Sequence, residues 1–537
     1  MKLPREGAME VEAKFTIQDP QVYAQVQALD ALGRFALAAG PVYDIHDIYF
    51  DTPDLRVLQA GYACRQREQN GQRLLTLKTL HGVSGAVHRR EEWETSLPAT
   101  APIPPLPAQW PDDAPCRQLL TLTENAPLKP LFSLRQRRHT RPIHCGQRLV
   151  AEMNLDTVTL ACAGSEQSFM ELEIELKGEG NEADLAAILA YLAETPGLSA
   201  QPLSKFEQGL ALLNAASPGL TPEDTVAEAA RKTLRLHLLR MILNESGTRA
   251  GRDPEALHDM RVATRRMRTA FRVFADALDA EAMAPYLRDL RRTGRLLGRV
   301  RDLDVFREKA QAYLETFAKG AQPDLTALQH AWDAEYEHAR VKLLKYLNGR
   351  RYARFKYGFA LLIEAPFPTT VVALPYAAQR MAEAVSEIIR GRLTEFYACR
   401  ARLEQPDATL TDYHQMRIVT KNLRYTLEYF REVLGVEAEQ AITELKTLQN
   451  HLGALQDAVV ASTHLHHVLA WGTWTPPTDA DLRWCKAPVA APDVAAYLAF
   501  QQAEIHRLVS AFPEAWKRLE RAGFEPLIAN AIAALST

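Results

Sequence analysis

The chemistry-bearing residues of this chain first appear as alternating runs. In Glu171-Leu172-Glu173-Ile174-Glu175-Leu176-Lys177 every second residue is charged and those between are aliphatic. On a β-strand, successive side chains point to opposite faces, so Glu171, Glu173, Glu175 and Lys177 share one face. Glu10, Glu12 and Lys14 do the same, as do Arg65 with Arg67, Thr76 with Lys78, Glu92 with Glu94, and Glu152 with Asp156. A sheet with one apolar and one watered face would give this alternation in any single strand. Here, though, carboxylates at i, i+2 and i+4 stand about 7 Å apart, and a neighbouring acidic strand brings others to about 5 Å. So much like charge requires cations between the carboxylates. Acidic and basic sets on one continuous face suit a divalent cation, Mg²⁺ or Mn²⁺, holding a polyanion. Carboxylate oxygens match the hard metal, and Arg and Lys clamp phosphate oxygens.

A second pattern fills the rest of the chain. His258-x-Met260-Arg261-Val262-x-Thr264-Arg265-x-Met267-Arg268 returns 156 residues later as His414-x-Met416-Arg417-Ile418-x-Thr420-Lys421-x-Leu423-Arg424. On a helix, His258, Arg261, Arg265, Arg268 and Arg272 form one stripe, and His414, Arg417, Lys421 and Arg424 repeat it. Acids at i+4 usually neutralise such a face. Between His258 and Arg272 the only acid is Asp259, off the stripe, and Arg417–Arg424 has none. The two stripes therefore suit an extended polyanion. His258 and His414 either hydrogen-bond phosphate or pack against a neighbouring helix. A fainter echo, Leu297-Gly298 to Asp302 and Leu452-Gly453 to Asp457, follows each repeat. Nucleic acid is not expected, because Phe271, Phe274 and Tyr425 give no interleaved stacking platform.

The elements that must carry these residues divide the chain. Before residue 214, short alternating runs at Met9–Ile17, Asp44–Asp51, Tyr62–Glu68, Leu74–Leu80, Val87–Ser96, Gln147–Leu160 and Phe169–Gly178 predict strands, with an Arg-rich strand at Arg135–Arg138. Helices are expected at Gln21–Ala38 and Glu182–Glu194, and a Pro-rich loop at Pro98–Pro115. After a linker at Asn214–Thr221, helical periodicity takes over, starting from Thr221-Pro222-Glu223-Asp224. The internal repeat predicts two helical halves related by a pseudo-two-fold axis, at about 221–370 and 375–530.

The ordered series Glu10-x-Glu12-x-Lys14, Tyr49-Phe50-Asp51-Thr52, Arg65-x-Arg67, Leu75-Thr76-Leu77-Lys78, Arg90-Glu91-Glu92, Glu152-x-x-x-Asp156, Glu171-x-Glu173-x-Glu175 and Leu203-Ser204-Lys205 resembles the CYTH, or triphosphate tunnel metalloenzyme, family over about residues 9–213. The resemblance implies an eight-stranded antiparallel barrel whose charged faces line a tunnel, with flanking helices outside. It implies hydrolysis of inorganic triphosphate, with thiamine triphosphate, nucleotide or RNA triphosphates and cyclase chemistry as family alternatives. Carried over, Glu10, Glu12, Glu171 and Glu173 would hold the metal. Glu92 and Glu175 would stand near a second metal or the attacking water, and with Lys14 would be catalytic. Lys14, Arg65, Arg67, Lys78 and Lys205 would grip phosphate, together with Arg138 and, second to it, Arg135. Strand parity separates those two arginines, grouping Arg135 with Arg137. The repeats resemble the CHAD domain over about 221–530. That implies a helical domain binding inorganic polyphosphate through His258, Arg261, Arg265, Arg268, His414, Arg417, Lys421 and Arg424, and association with polyphosphate granules. The fold class expected is thus α+β and multidomain. A polyphosphate binder without catalysis is the alternative function.

Composition agrees with a soluble, cytoplasmic chain. Of 537 residues, 47% are hydrophobic and 24% charged, and the net charge is −3. Residues 1–217 carry 20 basic and 27 acidic side chains, and residues 218–537 carry 43 and 39, so near-neutrality is a sum over two unlike regions. Six scattered cysteines suggest neither a zinc site nor a disulfide framework. The first fifteen residues lack the apolar core of a secretion signal, and Pro366, Pro368 and Pro375 interrupt the longest apolar stretch, so no membrane association is expected.

Overall fold

The computed structural model describes residues 8–98, 104–162, 165–365, 375–476 and 491–536. Two compact units divide between Pro218 and Gly219. The first is built on eight antiparallel strands: β1 (Ala8–Ile17), β2 (Val42–Asp51), β3 (Tyr62–Gln69), β4 (Gln72–Thr79), β5 (Val87–Leu97), β6 (Lys129–Cys145), β7 (Arg148–Cys162) and β8 (Ser165–Leu176). Their order, β1-β5-β4-β3-β2-β6-β7-β8 and back to β1, closes a barrel. The β3–β4 hairpin turns on Asn70 and Gly71, both at positive φ (53° and 74°), as a tight two-residue turn demands.

Alternation decides which face is the interior. Phe15, Met153, Leu155, Leu172 and Ile174 point outward and pack with Val26 of α1 (Pro20–Gln27) and with Leu185, Ile188 and Leu192 of α3 (Glu182–Ala193). Elsewhere on the wall, Cys64, Leu75 and Leu77 pack with Cys116 and Leu119 of α2 (Ala114–Thr123). With the apolar faces covered by helices, the charged faces are left to line the inside. The helix expected over Gln21–Ala38 stops at Gln27. Gly33 takes φ 61°, and Ala31–Leu32 with Phe35–Leu37 form a small hairpin that pairs with β6 through Leu37 and Ile143. Burial of Leu32, Phe35 and Leu37 favours this pairing over continuation of the helix.

A last helix of this unit, α4 (Lys205–Ala215), begins at the barrel interior behind a reciprocal Ser204–Glu207 capping box. Phe206 packs with Tyr49 and Phe132 at centroid distances of 5.1 and 5.8 Å. Gly209 lets the helix approach this closely, since a Cβ there would stand 2.2 Å from the Phe132 ring.

The second unit is helical. Its first half runs α5 (Val226–Leu243), α6 (Pro254–Val273), α7 (Ala280–Leu314), α8 (Thr326–Leu347) and α9 (Arg350–Glu364). Its second half runs α10 (Met381–Leu403), α11 (Leu410–Phe430), α12 (Glu437–Trp471), α13 (Pro492–Arg521) and α14 (Phe524–Ala533). The paired long helices α7 and α12 have 35 residues each. The halves join reciprocally where α5 and α10 begin: Val226 N–H donates to Gln379 O and Met381 N–H to Asp224 O, both at 2.9 Å. The expected start at Thr221 is displaced, because Thr225 and Glu228 supply the capping box and Asp224 is held by Lys232. In each repeat the Met and Leu positions are core: Met260, Met267, Met416 and Leu423 are fully buried. Thr264 and Thr420 donate to the carbonyls of Met260 and Met416. Among the described residues no helix is long and apolar enough to cross a membrane, and five cysteines are unpaired. Part of the Trp- and Pro-rich stretch 471–492 lies outside the described residues.

Gly209→Ala should lower the unfolding free energy of the barrel by ~1–3 kcal/mol through overpacking against Phe132, read as a shift of the urea midpoint with an unchanged slope.

Candidate functional site

The inward faces converge on a cavity of about 220 Å³ lined by side chains from most strands and by the start of α4. Register explains the convergence. β1 lies between β5 and β8, which brings Glu12 opposite Glu175 and Lys14 opposite Glu173. Lys14 bonds Glu12 at 2.9 Å and also Glu173. Lys205, the first residue of α4, reaches Asp156, Glu171 and Glu173 at 2.9, 2.9 and 2.8 Å. Arg138 grips Asp156 through two nitrogens, at 2.8 and 2.6 Å, and meets Glu173 at 2.5 Å. Across the barrel, Arg67 binds Asp47 bidentately with both bonds at 2.8 Å, and Arg65 stands 3.6 Å from it. Lys78 contacts Glu10 and lies 3.6 Å from Glu12.

These contacts split the interior electrostatically. Burial pushes the Glu173 carboxyl up, but Lys14, Lys205 and Arg138 together hold it well below the usual range. Burial would likewise discharge Lys14, yet Glu12, Glu173 and Glu171 keep its ammonium well above the usual value. Asp47 is held at about 2 against burial by Arg67 and Arg65, and Glu12 at about 2 against burial by Lys14 and Lys78. At the other side of the interior, carboxylates outnumber their cations. Glu10 is pushed up to about 7 by burial and by Glu12, with Glu92 and Glu175 adding to the repulsion that Lys78 offsets in part. Glu175 is raised in the same way, although Lys177 bonds it.

Among the described residues no group of three acidic, His or Cys side chains is already converged as a metal-ligand set. The donor chemistry nevertheless fits a hard divalent cation. Glu10, Glu12, Glu92 and Glu175 crowd together, and Glu12 Oε1 is buried without a hydrogen bond. Glu171 and Glu173, by contrast, are occupied by Lys14, Lys205 and Arg138.

Every barrel residue assigned to metal, phosphate or the chemistry faces this interior except Arg135. Arg138 lies opposite Asp156 and shares its inward parity. Arg135 lies opposite Thr159 and points out to solvent beside Arg137. Strand alternation leaves it no route to the tunnel. Sequence reading missed Asp47, the anchor of both Arg65 and Arg67, although its i, i+2 spacing from Tyr49 was there to use. It quoted Arg90 without giving it a role, and the structure buries it at 3% exposure and bonds it to Glu207 at 3.2 Å; it noted Asp156 without seeing it as the partner of Arg138 and Lys205.

In the helical unit the two stripes meet. Lys421 of α11 faces its neighbour Arg417 and Arg265, Arg272 and Arg261 of α6; burial and these four guanidinium groups push its ammonium down to about 7. Arg268 and Arg272 continue the cluster toward Arg291 and Arg295 of α7 and Arg392 of α10, three residues the repeat did not mark. Neighbouring helices supply some of the acids that local sequence lacks. Asp302 pairs with Arg261 at 3.2 Å, which gives the second echo a role, while Asp457 pairs with Lys309 at 2.6 Å. Arg424 is buried against Glu428 and its Nε donates to Gln449 Oε1 at 2.8 Å, which sets it apart from the open surface. The His258 imidazole is lowered by burial and Arg301, and His414 Nδ1 meets Gln456 at 2.5 Å.

Compared with known proteins, residues 8–209 match the family model of the CYTH domain and residues 232–466 that of the CHAD domain. An uncharacterised Mycobacterium tuberculosis protein is 24% identical over 487 residues, covering 85% of this chain and 88% of that one. The inorganic triphosphatase of Haemophilus influenzae is 28% identical over 203 residues, covering 38% of this chain and 54% of that protein. Among solved structures, the CHAD domain from the plant Ricinus communis is 22% identical at a TM-score of 0.41, covering 60% of this chain and 95% of that one.

Asp47→Asn should cost about 3–5 kcal/mol, because Arg65 and Arg67 would lose their buried counter-charge. Asp47 is depressed in the folded state, so its contribution is present above the unfolded value of about 4 and is lost as pH falls through about 2. Denaturant melts at pH 7 and at pH 2 should therefore show the gap between variant and parent closing in acid.

Proposed function

The chain carries a CYTH domain followed by a CHAD domain, and from there we propose that its barrel hydrolyses inorganic triphosphate to pyrophosphate and phosphate while its helical unit binds inorganic polyphosphate. The observation that carries the first half is the composition of the tunnel wall. Eight basic side chains able to hold a phosphate chain share that wall with six carboxylates, and among the described residues the aromatic groups lining the cavity are Tyr49 and Phe206. Such a wall recognises phosphate oxygens and offers little to a nucleobase or a thiazolium ring, which supports inorganic triphosphate over thiamine triphosphate or a nucleotide.

On this reading Arg65, Arg67, Lys78, Lys14, Arg138 and Lys205 bind the phosphate chain by exchanging carboxylate oxygens for phosphate oxygens. Charge-assisted bonds of this kind fix the chain in line and stabilise the negative charge that develops on the transferred group. A divalent cation, Mg²⁺ or Mn²⁺, would be held by Glu10 and Glu12 with Glu92 and Glu175 beside them, and when bound it supplies charge neutralisation at the phosphates. Glu171 and Glu173 serve by fixing Lys14, Lys205 and Arg138. Glu175, raised by burial, orients the water that attacks the terminal phosphorus and takes its proton, with Glu92 alongside. We place the protein in the cytoplasm, on polyphosphate.

Glu12→Gln should lower kcat/KM for triphosphate by about 10²–10³-fold, and excess EDTA should stop phosphate release until Mg²⁺ or Mn²⁺ is restored. Turnover that survives both treatments would remove the tunnel assignment. The double substitution Arg261→Ala, Arg417→Ala should leave triphosphate hydrolysis unchanged and reduce the salt slope of polyphosphate binding by about two. Because a bound polyanion favours charged Lys421, affinity should rise as pH falls through about 7. Lys421→Arg should flatten that profile in a binding titration from pH 6 to 9.

A further inference from the structure

Tyr425 lies just past the repeated motif, one turn beyond Lys421 on α11, and is fully buried. Guanidinium carbons of Arg265 and Arg266 from α6, and of Arg424 from its own helix, stand 5.2, 5.7 and 4.5 Å from its ring centroid. Its hydroxyl makes no hydrogen bond. The counterpart position in the first half is Thr269, so a single ring serves arginines of both halves. Arg266 and Arg424 also reach Glu428. Arg265 differs: among the described residues no carboxylate pairs with it, its Nε is buried without a hydrogen bond, and its guanidinium lies over the Tyr425 ring.

A ring and a carboxylate hold a guanidinium differently. A carboxylate occupies the N–H edge that a phosphate would use, and it cancels the charge. An aromatic face attracts the cation through its quadrupole, fixes the plane of the guanidinium, and leaves the N–H edge free for two bonds to an anion. We infer that Tyr425 is a positioning residue for the polyanion surface, its ring orienting Arg265 toward a bound phosphate chain without neutralising it. The inference rests on the polyphosphate reading of the helical unit. Since the hydroxyl is unbonded, the role belongs to the ring, and phenylalanine should fill it.

The test uses the full chain and long-chain inorganic polyphosphate, with affinity measured across a salt series. Tyr425→Leu should weaken binding about tenfold, within the range of a desolvated cation–π contact, and lower the salt slope by about one as the Arg265 contact is lost. Tyr425→Phe should restore both. In a double-mutant cycle, Tyr425→Leu with Arg265→Ala should be no weaker than Tyr425→Leu alone. Tyr425→Met, unbranched and better able to fill an irregular gap, repeats the measurement should the leucine variant unfold, and circular dichroism reports which variants are folded. A folded Leu or Met variant with parental affinity and slope would overturn the inference, as would full additivity or a Phe variant that fails like Leu. If the parent itself does not bind polyphosphate, the polyanion reading falls, and this role with it.

Discussion

Glu173 is the point on which the barrel interior depends. One buried carboxylate accepts from Lys14 on β1, Arg138 on β6 and Lys205 on α4, so three elements distant in sequence are fixed relative to one another by a single charge. Buried ions are tolerated only when compensated, and removing one partner leaves the others stranded at a cost of several kcal/mol. Such a network contributes little net stability compared with an apolar core. It does hold cations in a water-poor cavity at defined positions, ready to exchange one set of oxygens for another. The apolar faces of the same strands, packed under α1, α2 and α3, supply the burial that keeps the charges in place.

The helical unit handles concentrated charge in another way. Its repeated Met, Leu and Thr positions are buried, which leaves the basic positions to gather on one side. Few of them meet acids. The cluster around Lys421 is therefore repulsive in itself, a repulsion that a polyanion would relieve. Where acids do appear, at Glu428 and Asp302, they come from the next turn or from another helix. Glu428 takes Arg424 and Arg266 out of the surface, and Asp302 restrains Arg261. The barrel and the helices thus hold concentrated charge in two ways: a closed cavity with compensated charge, and an open surface with charge in excess.

Much of this was legible before any fold was known. Alternation predicted the strands and their charged faces, because a period of two leaves no choice of side once the apolar face is buried. The ordered motifs named Lys14, Lys78, Lys205 and the glutamates that meet in the cavity. Local pattern misled where a short segment could go either way. Gln21–Ala38 reads as one amphipathic helix, yet Gly33 and pairing with β6 turn its second part into a hairpin. Arg135 and Arg138 differ only in parity within a 17-residue strand whose register with β7 is not written in local sequence.

The sequence by itself determined residue type, periodicity and repeat: which side chains carry charge, which faces they share, and that the helical half is built twice. Those are local properties, set by backbone geometry over a few residues. Only the tertiary structure decided which charges pair. Asp47 with Arg67, Glu173 with three cations, Arg266 with Glu428, and Lys421 with no carboxylate among the described residues all follow from barrel closure and helix packing. Pairing, rather than composition, sets which carboxylates can receive a cation and which basic groups are free for phosphate, because electrostatic energy in a buried site depends on distances of a few ångströms between residues that the chain separates by tens to more than a hundred positions.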